Sequence, residues 1–286
     1  MKLFSKMQAR FIPQLLTALL LSTFILSACT PAVSTTTLPN PTATSAPLVT
    51  AVPTATLTPV ATAVPTSDGS VHLALDAGSI ATTFQTETVA AVPASDNVAY
   101  WDVLPQYIRV TLDGYPLSTS SMKPQFFIYP VKNLVEANQS AGQVVASLKT
   151  LLQSPQEIPN MPFLPLVNEQ QVIHAQVQYL DFESGQGVRY LTEFAQGIVP
   201  ITNSSLIYTC QGLTSDGKYY VSAVLPVNHP SLPVDENATA NIPLEFATDY
   251  PAYLSNVFNT LNTVAANTYT PDLTQLDAMM SSLEIK

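Results

Sequence analysis

The chain has 286 residues, 47% of them apolar and only 10% charged, where globular proteins usually carry about a quarter charged residues. It therefore has a core to bury and is no disordered polyelectrolyte. Beyond residue 29 all twenty acids stand against seven bases. That excludes the basic footprint a nucleic acid demands, and an anionic bilayer would repel the same surface.

The chain opens MKLFSKMQARFIPQLLTALLLSTFILSACT. Lys2, Lys6 and Arg10 precede an uncharged, mostly apolar stretch from Phe11 to Ala28, the layout of a secretory signal. Pro13 and Gln14 shorten the apolar run below the ~20 residues a membrane-spanning helix needs. The motif Leu26-Ser27-Ala28-Cys29 resembles the lipobox of bacterial lipoproteins. That resemblance covers these residues alone. It implies that Cys29 is acylated and becomes the first residue of the mature protein, with 1–28 removed as a signal peptide. The membrane is then a partner through the lipid, and the protein faces the extracytoplasmic side. An uncleaved anchor with an incidental Cys29 is the alternative. With Cys29 acylated, Cys210, the other of the two cysteines, has no intramolecular partner. An unpaired thiol outside the cytoplasm is expected to survive by burial.

From Thr30 to Ser67 no residue is charged, prolines recur, and AVPT occurs twice. Such a composition cannot make a packed core. Residues 29–68 are predicted to be a disordered, extended tether, reaching on the order of 100 Å. Its Thr and Ser beside Pro suit an O-glycosylated stalk or a passive linker.

Residues 69–286 are predicted to form a single folded domain. Residues 71–93 read as two short strands joined around Asp76-Ala77-Gly78, and 107–115 and 124–131 as two more. A long helix follows, with Asn133 as N-cap, Glu136 at the capping-box spacing, an apolar stripe through Ala141, Val145 and Leu148, and Pro155 as its stop. Next comes a meander of four strands: 172–182, 188–196, 205–214 and 218–227. Asp216-Gly217 between alternating runs predicts a type I′ hairpin. Its register sets Cys210 opposite Ala223 on an apolar face, with Thr209, Gln211 and Ser222 on a more polar one. Two helices close the chain, from Pro251 to Asn267 and after a Thr270-Pro271 cap. The class is α+β, a mainly antiparallel sheet with a central β-meander, one long helix before it and two C-terminal helices packed on the sheet. The order of elements vaguely resembles the PsbP/Mog1-like sandwiches, a topological analogy that licenses no function.

Candidate chemistry is sparse. GLTSDG at 212–217 superficially suggests a nucleophile motif, but its Ser and Asp serve a turn. His72, His174 and His229 match no ligand spacing, and 235–245 lacks the glycine and phase of a calcium loop, so no metal or cofactor is expected. Asp181 and Glu183 alternate on one strand face and Arg189 returns from the next. They read as a cross-strand ion pair at the sheet surface, with glycosidase-type carboxylates as the rarer reading. Two proline-rich loops stand out: 154–167, with Met161, Phe163 and Leu164, and 225–234, with His229. A stiff apolar lip can bind a partner at low entropic cost, and it can equally cap the core and hide a sheet edge. The sequons at Asn138, Asn203 and Asn237 are expected by chance. The leading expectation is a non-enzymatic, lipid-anchored module binding a protein, glycan or small ligand. The rivals are an envelope hydrolase using Asp181, Glu183, Arg189 and His229, and a transporter's solute receptor, which usually needs two α/β lobes.

Overall fold

Strands that are apolar on both faces need a layer on each side. That requirement governs this fold. It is seen in a computed structural model that describes residues 71–117 and 122–286. The signal-like segment, Cys29 and the predicted tether lie outside the described residues.

In chain order the elements are β1 (Leu73–Ala74), β2 (Thr83–Val89), β3 (Tyr107–Asp113), β4 (Gln125–Pro130), α1 (Val131–Ala137), α2 (Gln139–Gln153), β5 (Gln170–Phe182), β6 (Gly185–Ala195), β7 (Ile207–Thr214), β8 (Tyr219–Pro226), α3 (Glu245–Thr248), α4 (Tyr250–Thr263), α5 (Leu273–Ser281) and β9 (Glu284–Ile285). Seven strands form one antiparallel sheet in the order β2-β3-β4-β8-β7-β6-β5. All eight residues of β7 are buried. On one face Val110, Phe126, Leu191, Tyr208, Cys210 and Val221 meet Leu261 of α4 and Leu276 and Met280 of α5. On the other Phe127, Tyr129, Val188, Tyr190 and Tyr220 meet Leu134 of α1 and Ala141, Val145 and Leu148 of α2. The α+β class is as expected, with helices on both sides of the sheet.

The hairpin register is also as read from the sequence: Cys210 lies opposite Ala223. The turn chemistry differs. Only Gly217 has positive φ, at 70°, whereas a type I′ turn needs it at both central residues. The Gly217 amide donates to the Thr214 carbonyl at 2.8 Å. The Asp216 carboxylate accepts from the Lys218 amide and the Thr214 hydroxyl, at 3.0 and 2.7 Å. Local side-chain bonds of this kind hold a longer loop in the same register.

Three other boundaries depart from expectation. The long helix is two helices, because Asn138 breaks out of it (φ −143°) and caps α2 by accepting from the Ser140 and Ala141 amides. Asn133 lies inside α1, which starts directly from β4 without a side-chain cap. Asp272, not Thr270, caps α5, since its carboxylate reaches the Thr274 amide at 2.7 Å, while Thr270 bridges to Asn228. Finally, β1 pairs with β9, the last strand, rather than with β2.

The expected surface ion pair on β5 and β6 is not formed. Asp181 lies opposite Gln186 and is exposed, as is Glu183. Arg189 turns into the layer beneath α5, where it is 2% exposed. Its Nε and Nη2 donate to the two carboxylate oxygens of Asp277 at 2.9 and 2.6 Å. Nη2 also reaches Gln178 Oε1, and Nη1 donates to the Gln176 carbonyl. Tyr208 completes the set, its hydroxyl donating to Asp277 at 2.9 Å.

Removing one partner of a buried pair strands the other charge. Arg189→Ala and Asp277→Ala are each expected to lose about 3–5 kcal/mol of stability, and the double change Arg189→Met with Asp277→Leu less than the two added. Urea midpoints at neutral pH measure this. Cys210 carries a free, fully buried thiol whose pKa burial pushes up to about 12. Ellman's reagent should leave it unmodified in the native protein and titrate it in denaturant; prompt native reaction would contradict the buried register.

Candidate binding surfaces

The proline-rich segment between α2 and β5 is latched to the sheet through its backbone. Gln211, on the face of β7 read as polar, is fully buried. Its Oε1 accepts from the Leu164 amide at 3.0 Å and from the Tyr220 hydroxyl at 2.6 Å. Its Nε2 donates to Thr209 and Ser222 hydroxyls at 2.7 and 2.8 Å. The Ser222 hydroxyl donates to the Leu164 carbonyl. Nearby, Tyr190 donates to the Pro162 carbonyl at 2.8 Å, and the Met161 amide to Gln171 Oε1 at 2.7 Å. A loop without ladder bonds still needs its buried amides and carbonyls paired, and these side chains do that.

The consequence decides between the two readings of this loop, which caps the core. Met161, Phe163 and Leu164 point inward and close the second core, with Phe163 against Phe194 at 4.5 Å. They are not an open apolar lip. His229 is also buried, its ring 4.7 Å from Tyr269. The Thr268 hydroxyl donates to the Ala265 carbonyl, so it accepts from His229 Nε2 at 3.1 Å. Nδ1 then accepts from the Ser231 hydroxyl at 2.7 Å. Both ring nitrogens are satisfied in the neutral form, and burial holds the pKa below its ordinary value. Arg189 and His229 thus have separate partners while Asp181 and Glu183 stay exposed, and the four do not assemble a site. Among the described residues no three His, Cys, Asp or Glu come together as metal ligands.

Hollows lie along the loop's outer side. One is an apolar cleft of ≈ 440 Å³ between Pro155, Ile158 and Met161, strand β5, and Phe258 of α4. Val177 and Tyr179 of β5 open into it, together with His174. Another is a longer groove of two adjoining lobes, ≈ 740 and ≈ 720 Å³, that share Tyr100, Val167, Glu169, Gln170 and Gln171. Tyr100 is 55% exposed and stands edge-to-face on Trp101 at 5.1 Å. The turn that carries it is pinned by Asn138, whose amide donates to the carbonyls of Tyr100 and Val103 at 2.6 and 3.1 Å. Gln196 ties one rim to the Asn168 carbonyl at 3.2 Å, and Tyr250 ties another to the Val199 carbonyl at 3.1 Å. Neither Tyr100 nor these ties stood out in the sequence, because the contacts join segments far apart along the chain.

Behind the groove lies an acid that alternation alone does not flag. Glu193 shares the inward phase of β6 with Arg189 and Leu191 and is 2% exposed. Burial raises its pKa to about 7, only partly offset by the Ser205 hydroxyl and the Thr202 amide, and Glu169 raises it further. The Thr202 amide lies 3.3 Å from its carboxylate, and the adjacent Ile201 amide donates to the Tyr253 hydroxyl at 2.8 Å. Glu193 therefore helps hold the loop between β6 and β7.

Comparison with protein-family models, with curated proteins and with solved structures finds no match.

The folded protein keeps a proton on Glu193 that the unfolded chain releases above its ordinary value of 4.5. Stability from this group is therefore present at low pH and falls as pH rises from 4.5 through about 7. The loss is on the order of 3 kcal/mol. Glu193→Gln keeps the neutral form at every pH. Its stability relative to wild type should rise by that order between pH 4.5 and pH 8, as read from denaturant midpoints.

Proposed function

We propose that the chain is a lipid-anchored cell-envelope protein, held through Cys29 on the extracytoplasmic side, whose folded part binds a ligand in the groove beside Tyr100. The anchor rests on the lipobox-like Leu26-Ser27-Ala28-Cys29 behind its basic and apolar regions. The observation that carries the binding reading is the groove's preorganisation. An exposed aromatic is mounted on a turn fastened by a buried asparagine, between rims tied by Gln196 and Tyr250. Rims already in place lose little entropy when a ligand arrives. Binding is favoured over turnover because Glu193, the one carboxylic acid among the described residues with a strongly raised pKa, does not line either lobe. A general acid must come within hydrogen-bond reach of its substrate.

Labelling with an alkyne fatty acid in the producing cell should mark the wild-type protein at least about tenfold more than Cys29→Ala, taking the acyl chain as the principal membrane attachment. Equal labelling of the two, or a native product that retains residues 1–28, would overturn the anchor.

A further inference from the structure

We infer that the Tyr100 groove takes a neutral glycan chain, an inference that rests on the groove being the binding site. Its lining is the argument. Among the described residues, Glu169 is the only charged side chain lining either lobe. Phosphate, sulfate and carboxylate ligands call for Arg, Lys or converging backbone N–H groups aimed at them, and among the described residues neither lobe is lined by a Lys or Arg. What the groove has are amides. Gln143, Asn160 and Gln170 are exposed along it and make no side-chain hydrogen bond among the described residues. Each amide presents two donors and an acceptor on one plane. Adjacent sugar hydroxyls, which both donate and accept, match that pattern. The glutamate adds an acceptor pair for the same purpose.

The exposed ring supplies the rest. A tyrosine face is electron-rich, so it attracts the polarised C–H groups on the apolar face of a sugar ring. A ligand stacked on Tyr100 would extend into both lobes, since Tyr100 borders each. Each lobe falls in the ~300–1,000 Å³ range of small-ligand pockets, and two in line suit a chain rather than a monosaccharide. The apolar cleft beside Phe258 lacks this chemistry: its lining holds fewer amides and three exposed apolar side chains.

The chain carries its own reporter, because Trp101 is its only tryptophan and touches Tyr100. Full-length protein in detergent is titrated with cellohexaose, chitohexaose, xylohexaose and maltohexaose while tryptophan emission is followed. A saturable change is expected for at least one, with Kd between about 1 μM and 1 mM. It should persist at about 1 M salt, where ion pairs are screened. Tyr100→Ala should weaken it at least about tenfold, with an unchanged melting temperature, and Phe258→Ala should leave it as it is. Affinity that survives Tyr100→Ala would place the sugar elsewhere and overturn the inference. A proline-rich peptide or a polyanion that saturates the signal where the sugars do not would also overturn it, while leaving the groove as a binding site. If none of these ligands moves the signal, the binding reading falls with the glycan.

Discussion

Arg189 and Asp277, 88 residues apart in sequence, bind the two halves of this fold together. Taking both charges out of water carries a large desolvation penalty, repaid only when geometry is good and the remaining donors are used. Here they are. The guanidinium engages both carboxylate oxygens, the Gln176 carbonyl and Gln178. These contacts draw on a bulge in β5, where the register shifts between Ala175 and Gln178 and Gln176 takes φ 55°. The same Gln176 fastens α4, its amide donating to Asn262 and its side chain to the carbonyls of Leu261 and Val264. One irregularity in an edge strand therefore anchors the end of one helix and the middle of another. Tyr208 carries the network on to β7, next to Cys210. The thiol is sealed by the layer that this network clamps down.

The opposite face uses a neutral device for the same task. Thr209, Gln211 and Ser222 all lie on the phase of β7 and β8 that faces α2, and all are fully buried. Burying unpaired amides and hydroxyls costs more than their hydrogen bonds return. They are paired with one another and with the backbone of Leu164. A segment rich in proline has fewer amides to satisfy. Four side chains, those of Gln211, Ser222, Tyr190 and Gln171, therefore hold it, and Met161, Phe163 and Leu164 are driven into the core. The two faces differ in kind: an ion pair locks helices to one side, and an amide latch locks a loop to the other.

How much of this was legible follows from distance along the chain. The meander β5 to β8 could be read, including the Cys210–Ala223 register, because each strand pairs with its successor and alternation repeats every second residue. Gly185 shows the limit of local reading. Residues 183–187 look like a long turn, yet β6 begins at Gly185, where a Cβ would collide with the Leu213 carbonyl oxygen. Polar residues misled in both directions. Thr209 and Gln211 marked the more polar face of β7, yet both are fully buried, and Arg189 looked like a surface partner for Asp181. Polarity says that a group needs partners; it does not say whether water supplies them. Asn138 was passed over for a similar reason. Its capping role became visible only when the chain around Tyr100 came to lie against it.

Asn138 also shows how fold and binding surface are made by the same contacts. Its carbonyl oxygen starts α2, and its amide nitrogen holds the turn bearing Tyr100. Gln171 likewise ties the loop at Met161 to β5 while lining both lobes of the groove. The groove is therefore a product of how the proline-rich loop is latched, not a feature added to a finished fold. The loop turns Phe163 and Leu164 inward, and the groove is left lined by several amides, Glu169 and one raised ring, with Ile198 exposed at one end. A surface assembled in that way is polar and stiff at once. Both properties suit a ligand that offers many weak hydrogen bonds and little charge.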